Sequence, residues 1–298
     1  MKEELIRNAL YVVATPLGNL GDITLRAIHI LKQVDAIACE DTRATSRLTD
    51  AHGIRTRLFA LHQHNERDAA QQVIALLRDG KAVALVSDAG TPGISDPGSF
   101  TVRTVRDAGL TVIPLPGACA ATAALSAAGL PGPFRFVGFL PEKTKARVAA
   151  LAQLEGDCAT LVFYEAPHRI VEMIEALTCA FGTTREVVIA RELTKLFETI
   201  HHCPLGEASA WLQADANRQR GEFVVLLGPS LAATDMPEEA SAARVLGLLV
   251  EHLPIKTAIA LTQEIIGPDA PSRNALYEIA LTLKSDQRNT KLGDSSSD

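Results

Sequence analysis

Along residues 10–228 the chain repeatedly switches period, short apolar runs suited to strands alternating with longer stretches whose apolar residues recur every three to four positions. Leu10–Ala14, Ala36–Cys39, Ala82–Val86 and Thr111–Leu115 read as strands. Between them, Asp22–Val34 carries Ile23, Ala27, Ile28, Leu31 and Val34 at helical spacing. Glu66–Arg78 sets Ala69, Ala70, Val73, Ile74 and Leu77 on one side, and Ser99–Asp107 reads as a further helix. Such alternation predicts an α/β fold, a parallel or mixed sheet covered on both faces. A second unit follows, with strands expected at Thr160–Tyr164, Glu186–Arg191 and Glu222–Leu227. Its helices are expected at Cys119–Ala128, Thr144–Leu154, His168–Phe181 and Leu205–Ala214, and Leu196–His202 reads as extended and hairpin-like. The expected organisation is an α/β domain over 1–117 and a second over 118–229, with the boundary near Pro114–Ala118. A small, polar linker spans 230–240, and three helical stretches, Ala242–Leu253, Ile255–Ile266 and Ser272–Leu283, make a helix-turn-helix-like segment over 241–284. Residues 285–298, rich in Ser, Asp and Gly, read as a disordered tail.

Composition narrows the function classes. No apolar run approaches the ~20 residues of a membrane span, and the first residues lack a signal-peptide pattern. The five cysteines are scattered without a CxxC pair, which points to free thiols in a reducing, cytoplasmic setting and to no metal site. A net charge of −6 argues against non-specific phosphate binding and leaves room only for local basic surfaces. Lys143, Lys145 and Arg147 form one such cluster; Arg185, Arg191, Lys195, Arg218 and Arg220 lie in the same half.

The chemistry-bearing motifs stand at strand ends, where open α/β sheets bind ligands. In Ser87–Gly98, SDAGTPGISDPG, ten of twelve residues are Gly, Pro, Asp, Ser or Thr, more rigid loop than packing requires. Asp88 follows the strand directly, whereas Asp96 is expected to cap the helix after Pro97. The first turn, TPLGNLGDIT, has Gly18 and Gly21 but not the dinucleotide fingerprint G-x-G-x-x-G, and Asp22 or Thr24 suits a helix cap. PGACAA (Pro116–Ala121), YEAPHR (Tyr164–Arg169), ARELTKLFE (Ala190–Glu198) and RGEF (Arg220–Phe223) complete the set. Each alone also reads as ordinary structure, a tight turn or a salt-bridged edge.

In combination and in this order, VATPLGNLGDITLRA, EDTR (Glu40–Arg43), SDAGTPGISDPG, PGACAA, YEAPHR, RELTK and GEFVVL resemble the ribosomal-RNA branch of the tetrapyrrole-methylase superfamily, over roughly residues 8–228. The resemblance implies two α/β domains with S-adenosylmethionine in the cleft between them, and a homodimer. It also implies methylation of the 2′-hydroxyl of a cytidine in the decoding region of 16S rRNA within the small ribosomal subunit. By position it assigns the cofactor to Pro16, Asp88, Gly90, Thr91, Cys119, Ala120, Tyr164 and Glu165, and then to Ala190 and Glu222. Corrin-pathway members usually carry GxGPG and GDP in the first and second loops; here Thr15–Gly18 and Ser87–Ala89 differ, which favours RNA over a precorrin-like tetrapyrrole. A non-catalytic RNA-binding assembly factor on the same fold is the remaining alternative, and a nicotinamide dehydrogenase the weakest.

A sulfonium methyl is already activated, so the chain must position a hydroxyl and take its proton. Glu40, Asp41, Asp88, Glu165 and Glu192 are the candidate bases, with Lys195 or Arg43 beside the developing charge. Arg43, Arg47, His168 and Arg169, together with His62 and His64, are the candidate RNA contacts.

Overall fold

The structure, a computed structural model, describes residues 5–230, 238–250, 252–267 and 270–282. Two compact units divide the chain, 1–229 and 230–298.

The first unit holds two five-stranded sheets. Strands β1 (Ala9–Val13), β2 (Ala36–Cys39), β3 (Arg57–Ala60), β4 (Val83–Val86) and β5 (Thr111–Leu115) pair in the order β3-β2-β4-β1-β5, every pair parallel. Helices α1 (Leu25–Gln33), α2 (Thr42–Ala51), α3 (Glu66–Arg78) and α4 (Ser99–Asp107) supply the crossovers. Being covered on both faces, β2 and β4 are buried at every residue, which is why they read as unbroken apolar runs. One core sets Tyr11, Val13, Ile37 and Ala84 against Ile30 and Leu31; the other sets Leu10, Ala38 and Leu85 against Val73, Leu77 and Val105.

The second sheet runs β6-β7-β10-β8-β9. Its strands are β6 (Phe134–Phe139), β7 (Thr160–Glu165), β8 (Glu186–Arg191), β9 (Thr199–Pro204) and β10 (Phe223–Leu227). Only β6 and β7 are parallel. Side chains alternate across it. Leu161, Phe163, Ile189 and Val225 pack under α6 (Thr144–Ala152), α7 (Ile170–Phe181) and α8 (Leu205–Gln213). Val162, Val188, Ala190, Val224 and Leu226 face α5 (Ala120–Ala128), whose Ala121, Ala124 and Ala128 let it sit close to the sheet. In the second unit α9 (Glu238–Val250), α10 (Ile255–Ile266) and a helix at 273–282, α11, enclose Ala242, Leu246, Ile259 and Leu276.

Several expectations need correction. Helix α1 begins at Leu25, not Asp22, because Thr24 supplies the cap (its hydroxyl accepts from Ala27 N at 3.0 Å) and Leu20–Asp22 form a separate 3-10 turn. Helix α7 begins at Ile170, after a 3-10 turn at Pro167–Arg169. The stretch read as hairpin-like becomes a strand only from Thr199, and α9 begins inside the stretch read as linker. Elements α2, β3 and β6 were not expected at all. The expected tail at 285–298 lies outside the described residues. Of the basic clusters, Arg147, Arg185 and Arg191 are buried rather than surface cations. Arg185, for example, donates to the Gly228 and Ala159 carbonyls and lies over the Phe181 ring.

Candidate active site

The loops leaving β1, β4, β5 and β7 converge, and they are stitched together by backbone and short side chains. Thr15 and Gly90 exchange both N–H···O bonds at 2.9 Å, and the buried Thr15 hydroxyl donates to Ser87 O at 2.9 Å. Thr91 Oγ1 donates to Ala118 O at 2.9 Å, tying the β4 loop to the β5 loop. Within the second half, the Tyr164 hydroxyl on β7 accepts from Ala121 N at the start of α5 at 3.0 Å. Gly90 has φ +81°, the left-handed conformation that favours glycine, and a methyl there would stand 3.3 Å from the Leu17 side chain, which would have to shift by a few tenths of an ångström.

These loops wall a cavity of about 340 Å³, within the range of small-molecule sites. Leu17, Phe139, Leu193, Phe223 and Val224 give it apolar sides, Gly90, Ala120 and Ala166 give close-approach surfaces, and Asp96, Glu165 and Glu222 are its carboxylates. No Lys, Arg or His is among the described residues lining it. The Glu165 side chain is fully buried: Oε1 accepts from Ala166 N at 2.8 Å and faces Arg169 Nε at 3.3 Å, while Oε2 has no partner among the described residues. Burial raises the Glu165 carboxyl above its ordinary range against the pull of Ala166 N–H and Arg169. Burial also pushes the Tyr164 phenol up, and carries Asp96 to about 6 with Ser87 opposing and Asp88 adding. S-adenosylmethionine, whose sulfonium and ammonium are cationic, suits such a wall, and the open Glu165 acceptor suits a ligand N–H or O–H. A dinucleotide pyrophosphate would meet carboxylates there and no cation.

Of the residues assigned to the cofactor from sequence, Gly90, Thr91, Cys119, Ala120, Tyr164, Glu165 and Glu222 stand in this wall. Pro16 is buried beside it, Asp88 is exposed and accepts from Asp41 N at 3.0 Å, and Ala190 is wholly buried under α5. Glu40 and Asp41 lie at the end of β2 outside the wall; burial, then Asp88, Asp96 and Asp41, raise Glu40. Glu192 and Lys195 form a network: Lys195 Nζ is 2.9 Å from Glu192 Oε1 and 2.8 Å from Glu222 Oε2. Burial opposes the Lys195 charge, but these carboxylates hold its ammonium above the usual range. The Lys195 stem lies over Gly18, where a methyl would overlap it, so the β8–β9 connection touches the first turn.

Among the RNA candidates, Arg43 is exposed and paired with Asp41 at 3.0 Å, and Arg47 and His168 are exposed. Arg169 turns inward, donating to Leu140 O at 2.6 Å as well as facing Glu165. His62 is half-buried and His64 exposed, their rings 6.1 Å apart.

Sequence reasoning missed Leu17, Ser95, Asp96, Phe139, Leu193, Phe223 and Val224 as wall residues. Asp96 was expected to cap α4 and does not. That cap comes from Glu66 on α3, whose Oε1 accepts from Gly98 N at 2.9 Å and Thr101 N at 3.1 Å. Glu66→Ala should therefore cost about 1–2 kcal/mol, the worth of a helix cap. Urea unfolding checks it; no loss would mean the two N–H groups find another acceptor.

Comparison with known proteins adds three findings. Residues 9–209 match the model of the Tetrapyrrole (Corrin/Porphyrin) Methylases, and 236–284 that of the RsmI C-terminal HTH domain. Proteins named ribosomal RNA small subunit methyltransferase I are 52% identical in Escherichia coli O157:H7 (91% of this chain, 94% of that one) and 42% in Neisseria meningitidis serogroup B (95% and 96%). Solved structures with the same fold include a cobalt precorrin-4 methyltransferase (TM-score 0.55, 16% identity, 74% of this chain and 95% of that one). Another is the uroporphyrin-III C-methyltransferase of Thermus thermophilus (TM-score 0.55, 19% identity, 76% and 97%).

Proposed function

Because the chain belongs to the tetrapyrrole methylase family, and within it to the ribosomal RNA small subunit methyltransferase I group, we propose that it methylates the ribose 2′-oxygen of a cytidine in the decoding region of 16S rRNA. Methyl transfer from S-adenosylmethionine to small-subunit rRNA is the activity. The observation that carries it is the length of the match: the rRNA methyltransferases align over more than nine-tenths of the chain. The tetrapyrrole enzymes are almost wholly covered, yet leave a quarter of this chain unmatched. The part beyond 209 includes the helices of the 236–284 match, a further surface for a large substrate.

When bound, the cofactor supplies an activated methyl; the chain supplies position and environment. Asp96, Glu165 and Glu222 complement positive charge, and Leu17, Leu193 and Phe139 exclude water. Positioning of this kind supplies up to about 7–11 kcal/mol of a barrier. The exposed Arg43 and Arg47 on α2 and His168 in the turn after β7 are the proposed phosphate contacts. The working form is a homodimer acting on the small ribosomal subunit in the cytoplasm. None of the described helices is long and apolar enough to cross a membrane.

The test is transfer of labelled methyl from S-adenosylmethionine to small subunits from a strain lacking this protein, with the product mapped by nucleotide. Label on one cytidine 2′-oxygen is expected. Label on a base, or none in subunits or free RNA despite tight cofactor binding, would overturn the reading.

A further inference from the structure

The arginine of YEAPHR, expected from sequence to meet RNA, spends its guanidinium inside the protein. Arg169 stands four residues beyond Glu165, and the 3-10 turn at Pro167–Arg169 brings it back onto that residue with its side chain only 14% exposed. Nη2 donates to Leu140 O at 2.6 Å, which fixes the guanidinium between the chain leaving β6 and the chain leaving β7. Nε then lies 3.3 Å from Glu165 Oε1, the oxygen that also accepts from Ala166 N. With Oε1 held from two sides, the carboxylate plane is set, and Oε2 is left at the cavity wall without a partner among the described residues.

A wholly buried carboxylate with one oxygen open is costly unless a cation stands beside it. The other cations near Glu165 are worse placed. Arg147 on α6 is buried but donates through Nη2 to Glu172 at 3.0 Å, and His168 is exposed. We propose that Arg169 is a positioning residue of the cofactor site: it holds Glu165 as a carboxylate and leaves Oε2 aimed at the cavity as an acceptor for a ligand N–H or O–H. Arg169 acts through Glu165 and is not among the described residues lining the cavity. The role rests on the methyl-transfer reading above, in which the ligand is S-adenosylmethionine.

The charges that face Glu165 give the sign of the effect. Burial raises its carboxyl above the ordinary range, and Ala166 N–H, Arg169, Arg147 and His168 pull it down. Tyr164 is its neighbour on β7, and Glu142, before α6, lies 4.0 Å from Arg169. Asp96 on the β4 loop, Cys119 before α5 and Glu222 before β10 share the wall. Its partner on β10 is Phe223, which brings no charge. Loss of Arg169 removes a downward pull, so as pH falls the ionised acceptor is lost earlier, at a higher pH, and ligand affinity with it.

The experiment is calorimetric titration of S-adenosylmethionine from pH 5 to 9 into the wild-type chain, Arg169→Met, Arg169→Lys, Arg147→Met and Glu165→Gln. The cofactor's own amine and Asp96 titrate alongside in all of them, so the differences between profiles are read. In Arg169→Met the pH below which affinity falls should lie about 1–3 units higher than in wild type, the pull of one adjacent cation. Arg169→Lys, which keeps the charge, should recover at least half of that rise, and Arg147→Met should produce a smaller one. Glu165→Gln should bind about tenfold or more weakly than wild type at pH 8 and lack the acid limb that Arg169→Met shifts. An Arg169→Met profile that overlies wild type, or lies below it by one constant factor at every pH, overturns the assignment. So does no recovery in Arg169→Lys, a larger rise in Arg147→Met, or a Glu165→Gln chain that binds as wild type does. Should Arg169→Met not fold, Arg169→Gln, which keeps a donor and drops the charge, is read in its place by the same criteria. Failure of the wild-type chain to bind S-adenosylmethionine at any pH would instead overturn the methyl-transfer reading, and this role with it.

Discussion

Gly98→Val should lower stability by about 3 kcal/mol, through backbone strain of about 1–3 kcal/mol and overpacking of similar size. Gly98 immediately precedes α4 at φ +127°, ψ −24°, a region that residues with a Cβ scarcely enter. A methyl there would stand 2.9 Å from Leu85 Cδ2, and Leu85 is 1% exposed in the centre of the first sheet. Neither side can yield easily, because Gly98 N is held by Glu66 and Leu85 by the packing of α3 and α4. For a chain of this size the loss corresponds to a fall of roughly 6–12 °C in Tm. Unchanged thermal unfolding would mean that the β4 loop is far softer than its hydrogen bonds suggest.

Arg191→Met is expected to have a comparable effect and to reach the cofactor. The guanidinium donates to Arg220 O at 2.7 Å and Phe197 O at 2.9 Å from a side chain buried at the end of β8. These bonds span a connection in which Glu192 (φ +53°) and Thr194 (φ +66°) both sit in the left-handed region. Hydrogen bonds from a charged donor are worth about 1.5–3 kcal/mol each, and the Phe197 carbonyl would keep only the Thr199 hydroxyl at 3.3 Å. A loss of about 3 kcal/mol by denaturant unfolding is the expected result. Because Leu193 and Glu222 line the cavity, S-adenosylmethionine affinity should fall at least tenfold. Arg191→Lys should rescue little, since an ammonium cannot reproduce the fork that serves two carbonyls. Equal affinity in Arg191→Met would show that the connection holds its shape unaided.

The α/β class was legible because the buried strands of the first sheet are short apolar runs between helices of clear period, as at Glu66–Arg78 and Ser99–Asp107. What escaped was local signal that tertiary contact replaces. Helix α2 buries only Thr45, Leu48 and Thr49, too little apolar content to mark a period. Strand β3 is a half-exposed edge, and β6 is an edge interrupted at Gly138, where its register against β7 shifts. The residue types at the site were visible as loop motifs, but their duties were not. Asp96 has the sequence position of a cap, and only the approach of Glu66 from another helix releases it. Arg147, Arg185 and Arg191 count as surface charge in a composition but are buried in the fold, because a guanidinium can reach acceptors that no sequence spacing announces. Phe139 enters the wall only through an edge strand that carried no signal of its own.

The pair of hydrogen bonds between Thr15 and Gly90 is an isolated antiparallel bridge just past the parallel β1–β4 ladder, and it ties the ends of these strands to the ligand-binding loops. The floor of the cavity is therefore ordered by the same cooperative event that forms the sheet, and ligand binding finds this part of its conformational entropy already lost. Amide hydrogens of Thr15 and Gly90 should exchange with solvent as slowly as those of β1 and β4 in the ligand-free chain. Adaptation to a bulky substrate is left to the far wall, where Leu193 and Phe139 come from a loop and an edge strand.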